Sequence, residues 1–184
     1  MKTRITVICA IAFLLCTLSA GAQEKHLVRL GWGDALYETL VFHPADGTSA
    51  HTYSGHWFAD YQYQLTPLIS LGGQADFQSI CWTKNGSRVK NFDLCILPTV
   101  RFTWLRKEWV RLYSGAGIGV LVAWDNAGGK DLAPALNINS IGVQVGKGHW
   151  SGSVDLGLMA ALKGTDRIYM FGSRLLSVSV NYRW

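Results

Sequence analysis

The clearest pattern lies in the last residues of the chain. Leu176, Val178, Val180, Tyr182 and Trp184 alternate with Ser177, Ser179, Asn181 and Arg183. Successive side chains of a strand point to opposite faces, so this segment has one apolar face and one polar face. The same period of two recurs upstream. Trp57, Ala59, Tyr61 and Tyr63 oppose His56, Asp60, Gln62 and Gln64. Ile69, Leu71, Ala75 and Phe77 oppose Ser70, Gln74, Asp76 and Gln78. Ile96, Val100, Phe102 and Trp104 oppose Asp93, Thr99, Arg101 and Thr103. Ile118, Val120, Val122 and Trp124 oppose Arg111, Gly115, Gly117 and Gly119, and Val154, Leu156 and Leu158 oppose Ser151, Ser153 and Asp155. A shorter strand is expected over 27–33. Another, over 134–147, slips phase between Ile138 and Ile141, which predicts a bulge.

These segments make eight strands. Short connections are expected at Thr66-Pro67, Arg106-Lys107 and Gly146-Lys147-Gly148, and longer ones at 34–50, 84–91, 125–133 and 164–169. Asn85-Gly86 is a hairpin turn dipeptide. Asp34 to Phe42 has the pattern of a short helix with Asp34 as its cap. The fold class expected is all-β, an eight-stranded antiparallel up-and-down transmembrane β-barrel. Turns on one side and longer loops on the other, with both termini on the turn side, are the arrangement of such a barrel in an outer membrane.

Aromatic positions separate a membrane barrel from a soluble one, since both alternate. Tyr61, Tyr63, Phe102, Trp104, Trp150, Tyr182 and Trp184 fall at the turn ends of the apolar face. Tyr53, Trp57, Phe92 and Trp124 fall at the opposite ends. Two aromatic belts around an apolar band suit two water–lipid interfaces. From Phe92 to Trp104, at ~3.3 Å rise and ~40° tilt, the band is roughly 30 Å tall, near the apolar thickness of about 25 Å in such barrels.

The polar face must then point inward, where an unpaired ion is costly. The alternation predicts an internal cluster of Arg101, Arg111, Asp60, Asp76 and Asp155, with Arg101 opposite Arg111 and His56 facing Asp76. Gly115, Gly117 and Gly119 are expected to leave room for the arginines. Pro98 conflicts with a closed sheet, because it cannot donate to the ladder, and predicts a bulge or a missing bond.

The chain's start adds an address. Lys2 and Arg4 precede an apolar run from Ile5 to Leu18 and then Ser19-Ala20-Gly21-Ala22. This reads as a cleaved secretory signal peptide over 1–22, leaving 23–184 as one barrel domain. Loss of Lys2 and Arg4 takes the formal charge from +5 to +3, with no basic stripe, which argues against nucleic acid as a partner. Of four cysteines, Cys81 and Cys95 remain. The alternation places them on opposite faces, which disfavours a disulfide; a bulge near Cys81 would reverse this.

With signal, alternating strands and terminal Trp184, the chain resembles the small outer-membrane β-barrel family of Gram-negative bacteria over nearly all of 23–184. Leu176 to Trp184 looks like the terminal signal read by the barrel assembly machinery. The resemblance implies location in the cell outer membrane, with outer-membrane lipid and that machinery as partners. It implies no single activity and no particular external ligand, since the family includes adhesins, resistance proteins, structural anchors and lipid-modifying enzymes. Ser49, His51 and Ser54, with Asp46 nearby, are a set near the outer rim that suggests a lipid-modifying enzyme, but nothing in their spacing guarantees a base within reach of a nucleophile. Two cysteines without spaced histidines make no zinc pattern, and no phosphate or dinucleotide loop is present. The expectation is therefore a non-enzymatic barrel with no catalytic, cofactor-binding or metal-ligating set, acting through its loops, with a lipid-modifying enzyme or a narrow channel as the alternatives.

Overall fold

The structure, a computed structural model, describes residues 25–34, 49–84, 87–126, 128–163, 167–169 and 176–184. Expectations for the signal peptide 1–22, for the helix after Asp34 and for Asp46 lie outside those residues. Nine strand segments follow one another: β1 (His26–Asp34), β2 (Ser49–Gln64), β3 (Ile69–Lys84), β4 (Ser87–Arg106), β5 (Val110–Asp125), β6 (Lys130–Val145), β7 (Trp150–Lys163), β8 (Arg167–Tyr169) and β9 (Leu176–Arg183). Each consecutive pair from β1 to β7 is antiparallel, and β9 pairs with both β7 and β1. The short β8 pairs along the far part of β7. β8 and β9 thus share one place in the ring, and the sheet closes on itself with eight positions. Asp34 is the last residue of β1, opposite Leu176.

The seam closes through reciprocal main-chain bonds, His26 N to Trp184 O at 3.0 Å and Trp184 N to His26 O at 3.1 Å. A ring of strands has no free edge, which removes the usual route to edge-to-edge aggregation. At one end the connections are tight. Thr66 Oγ1 accepts the amides of Leu68 and Ile69 at 3.3 and 3.0 Å. Lys107 N donates to Val110 O at 2.8 Å. Gly148 takes a φ of +74°, a conformation that side chains with a Cβ rarely adopt. At the other end the connection expected over 84–91 is much shorter. Lys84 pairs with Ser87, so only Asn85 and Gly86 join β3 to β4. The polar run Ser87–Asn91 extends the ladder instead of leaving it.

The expected phase slip in β6 is present. The register shifts between Asn139 and Ile141, so Leu136 and Ile138 face outward before it and Val143 and Val145 after it. Pro98 produces the missing-bond outcome. Against β5 the ladder skips from Ile96 to Thr99 with no change of register, while Pro98 keeps its place opposite Gly73 on β3. Gly115 lies opposite Arg101, whereas Gly117 and Gly119 do something other than make room for arginines. A Cβ at Gly119 would run into the main chain at Ile96 and Leu97, and one at Gly117 would lie 2.8 Å from Thr99 Cγ2 and 3.0 Å from Pro98 O. They let the β4 and β5 main chains come close where the proline interrupts the ladder.

Outward positions are apolar and exposed: Ile118 is 70% accessible, Val180 60% and Leu30 62%. Tyr61, Tyr63, Phe102, Trp104, Trp109 and Trp150 are exposed around the turn end, while Trp32 and Trp57 are exposed toward the other. Phe92 and Trp124 stack there at 5.8 Å between centroids. Trp184 departs from the outward expectation: it is buried because His26 stacks on it at 5.4 Å and Tyr182 at 5.7 Å.

The interior is not uniformly polar. Cys95, Leu97, Leu121, Ala133, Ala135, Met159 and Ala161 form an inward apolar cluster on the β4–β7 wall. Cys95 lies opposite Asp76 and Cys81 opposite Lys90, five register positions apart along the same strand pair. At ~3.3 Å per residue that separation is far beyond the Cα spacing a disulfide allows.

Candidate functional site: the charged lumen

Inward alternation from five strands brings a set of polar side chains to the barrel axis. Arg29 comes from β1, Asp60 from β2, Arg101 from β4, Tyr113 from β5 and Asp155 from β7, all buried. The Arg29 guanidinium donates to Asp60 at 3.3 Å and pairs with Asp155. It also reaches Asn181 Oδ1 at 3.2 Å and Ser153 Oγ at 3.3 Å. Arg101 Nη2 donates to the same Asp60 oxygen at 2.8 Å. Tyr113 Oη donates to Asp155 Oδ1 at 2.5 Å, and Asn139 Nδ2 to that oxygen at 2.7 Å. Gln62 Nε2 completes Asp60 at 2.7 Å. Two arginines and two aspartates therefore balance in charge, and each carboxylate accepts three hydrogen bonds. Charge-assisted bonds of this kind offset the loss of water around buried ions.

Aromatic faces cover what remains. The Arg101 guanidinium carbon lies 4.3 Å from the Tyr113 ring centroid, and that of Arg29 lies 5.5 Å from both Phe58 and Tyr113. Gly142 makes this possible, since a Cβ there would enter the Tyr113 ring.

The predicted cluster is thus met in part. Arg101, Asp60 and Asp155 come together, whereas Asp76 pairs with His56 and Arg111 sits further toward the turn end. Arg111 lies opposite Arg106, while Arg101 lies opposite Gly115. The reason is the turn, which is centred about two residues later than expected, with a register shift between Thr103 and Leu105. Asp76 belongs to a second group nearer the loop end. It accepts His56 Nε2 at 2.6 Å, as expected across the β2–β3 turn, and Gln74 Nε2 at 2.5 Å. Both His56 and Asp76 are 0% exposed. Replacing Asp76 by Ala removes an acceptor from two buried donors, and thermal unfolding in detergent should drop by an amount equivalent to about 1–3 kcal/mol. Unchanged melting would show that the pair carries no stability.

Arg29 and Tyr113 are the site residues that sequence reasoning passed over. Arg29 sits in the shortest strand assigned, with Val28 and Leu30 on either side as the available signal. Tyr113 continues the inward phase of Arg111 and Gly115, but an aromatic residue near a strand end suggests a belt position. Ser49, His51 and Ser54 lie on β2, where the register shifts between Ala50 and Thr52 and between Tyr53 and His56. No group of three or more His, Cys, Asp or Glu side chains suited to a metal occurs among the described residues.

No family model and no curated protein matches the chain. Among solved structures it is similar to the crystal structure of the N-terminal beta-barrel domain of Pseudomonas aeruginosa OprF. The identity is 10%, over 88% of this chain and 98% of that one, with a TM-score of 0.49. The closed barrel is established by this chain's own strand pairing.

Proposed function

We propose that the chain is an integral outer-membrane barrel protein of a Gram-negative envelope, exported with residues 1–22 removed, and that its role is structural or one of contact through its loops rather than catalysis. The carrying observation is the inversion of polarity: apolar side chains cover the outside while Arg29, Arg101, Asp60 and Asp155 are buried within. An isolated ring of this kind is favourable in lipid, where a closed barrel satisfies its main chain internally. Outer-membrane lipid is then its solvent, and the barrel assembly machinery its partner during insertion. An eight-position ring leaves an interior just wide enough for side chains, and the ion network occupies it, which disfavours a channel.

Three arms of one experiment test this. Purified protein in planar bilayers should give no conductance steps. Lipid A from cells with and without the protein should have the same mass. Crosslinkers placed in 34–50 and 125–133 on intact cells should recover a discrete partner. Regular conductance steps would make it a channel, and a mass change that depends on the protein would make it an enzyme.

A further inference from the structure

A groove of about 700 Å³ lies in the outer wall, across β1 to β4 and the neighbouring β9. Trp57, Phe77 and Leu94 share the rung on its loop side. Leu30, Ala59 and Ala75 share the next rung toward the turns, where the two exposed alanines leave the wall low. The volume falls within the range of about 300–1,000 Å³ that ligand sites occupy. Just beyond the groove, toward the loops, the same face becomes basic. Phe92 stacks on Phe77 at 6.4 Å and on Trp124 at 5.8 Å. Lys90 Nζ lies 4.8 Å from the Phe92 ring centroid, and Lys130 is the rung partner of Trp124. Both lysines are exposed. Among the described residues the acids of this region, Asp93, Asp125 and Asp131, fall in the opposite, inward phase. Two cations, a row of stacked rings and an apolar trough therefore follow one another down the outer wall.

We infer that this face holds one anionic phospholipid of the loop-side leaflet, with its phosphate at Lys90 and Lys130 and an acyl chain in the groove. A free phosphate ion would use the lysines and leave the groove empty. An uncharged apolar occupant would fill the groove and leave the lysines unused. Only an anionic amphiphile uses both. Stacked aromatic rings suit the boundary between headgroups and hydrocarbon. Two lysines at that level should favour an anionic over a zwitterionic lipid roughly 30-fold. The inference rests on the outer-membrane reading above.

The test uses the full mature chain folded in a nonionic detergent, with retained lipid counted by native mass spectrometry. Dipalmitoyl phosphatidylglycerol is titrated beside phosphatidylcholine with the same chains. The parent should retain one phosphatidylglycerol, roughly 30-fold more tightly than phosphatidylcholine. A Lys90→Gln/Lys130→Gln variant should lose that preference and keep its phosphatidylcholine binding. Ala75→Phe fills the floor of the groove and should weaken both lipids. All three positions are exposed and outside the buried network. Equal retention of the two lipids by the parent, a preference that survives the lysine changes, or binding indifferent to Ala75→Phe would overturn the inference. A dimer that Ala75→Phe breaks would overturn it too, by giving the groove to a second copy. These outcomes leave the membrane reading standing; a chain that is monodisperse before any detergent is added would remove that reading and this inference together.

Discussion

Replacing Arg29 by Met should lower the unfolding free energy by about 3–5 kcal/mol, measured by reversible denaturant unfolding in lipid vesicles. Arg29 is 3% exposed and joins both central carboxylates. Without it Asp155 keeps only the neutral donors Tyr113 and Asn139 among its described bonds, and Asp60 keeps Arg101 and Gln62. An uncompensated buried charge, not a missing contact, accounts for most of the expected cost. A second substitution separates the two. Asp155→Asn in the Arg29→Met background removes the stranded charge and should restore a large part of the loss, because removing both ions of a buried pair costs less than removing one. A single-variant loss below about 1 kcal/mol, or a double variant no better than the single, would mean that the network is solvated rather than sealed.

The second large effect concerns the outer wall. Ile118 lies midway along β5 and points away from the lumen. Arg at that position should cost about 2–4 kcal/mol in a bilayer, as expected for a cation at the midplane of a barrel's lipid face. The same change at Val145, at the turn end of β6, should cost only about 0–1 kcal/mol, because an arginine there reaches the interface. In a soluble barrel both positions face water, and both changes would be nearly neutral. The difference between the two sites therefore reads depth, and it is insensitive to general effects of adding charge.

The sheet was legible because its signal is local. Alternation fixes which side chains share a face, and a one-residue slip would move every one of them, as at Asn139–Ile141. That is why the β9 pattern from Leu176 to Arg183 and the pairing of His56 with Asp76 could be read directly. Partners across a turn depend on where the turn is centred. The β4–β5 connection holds Lys107, Glu108 and Trp109 with no glycine or proline to mark it, so Arg101 was expected opposite Arg111 and is found opposite Gly115. The central network also draws on β1, β2, β4, β5 and β7, and no periodicity tells which inward residues of distant strands share a height. Arg29 meets Asp155 only because the ring closes through β9. The apolar cluster around Leu97 and Met159 is hidden in the sequence for a related reason: apolar residues in the inward phase, such as Cys95 and Leu97, sit among outward ones and read as a continuous hydrophobic run.

The central claim is that the apolar face meets lipid and the polar face is enclosed. Nitroxide labels at single cysteines along β9, at 177, 178, 179 and 180 in turn, with Cys81 and Cys95 replaced by Ala, test it most directly in vesicles. Labels at 178 and 180 should collide freely with oxygen and hardly at all with a water-soluble nickel chelate, while those at 177 and 179 should be shielded from both. Strong nickel broadening at 178 and 180 would place that face in water and contradict the account.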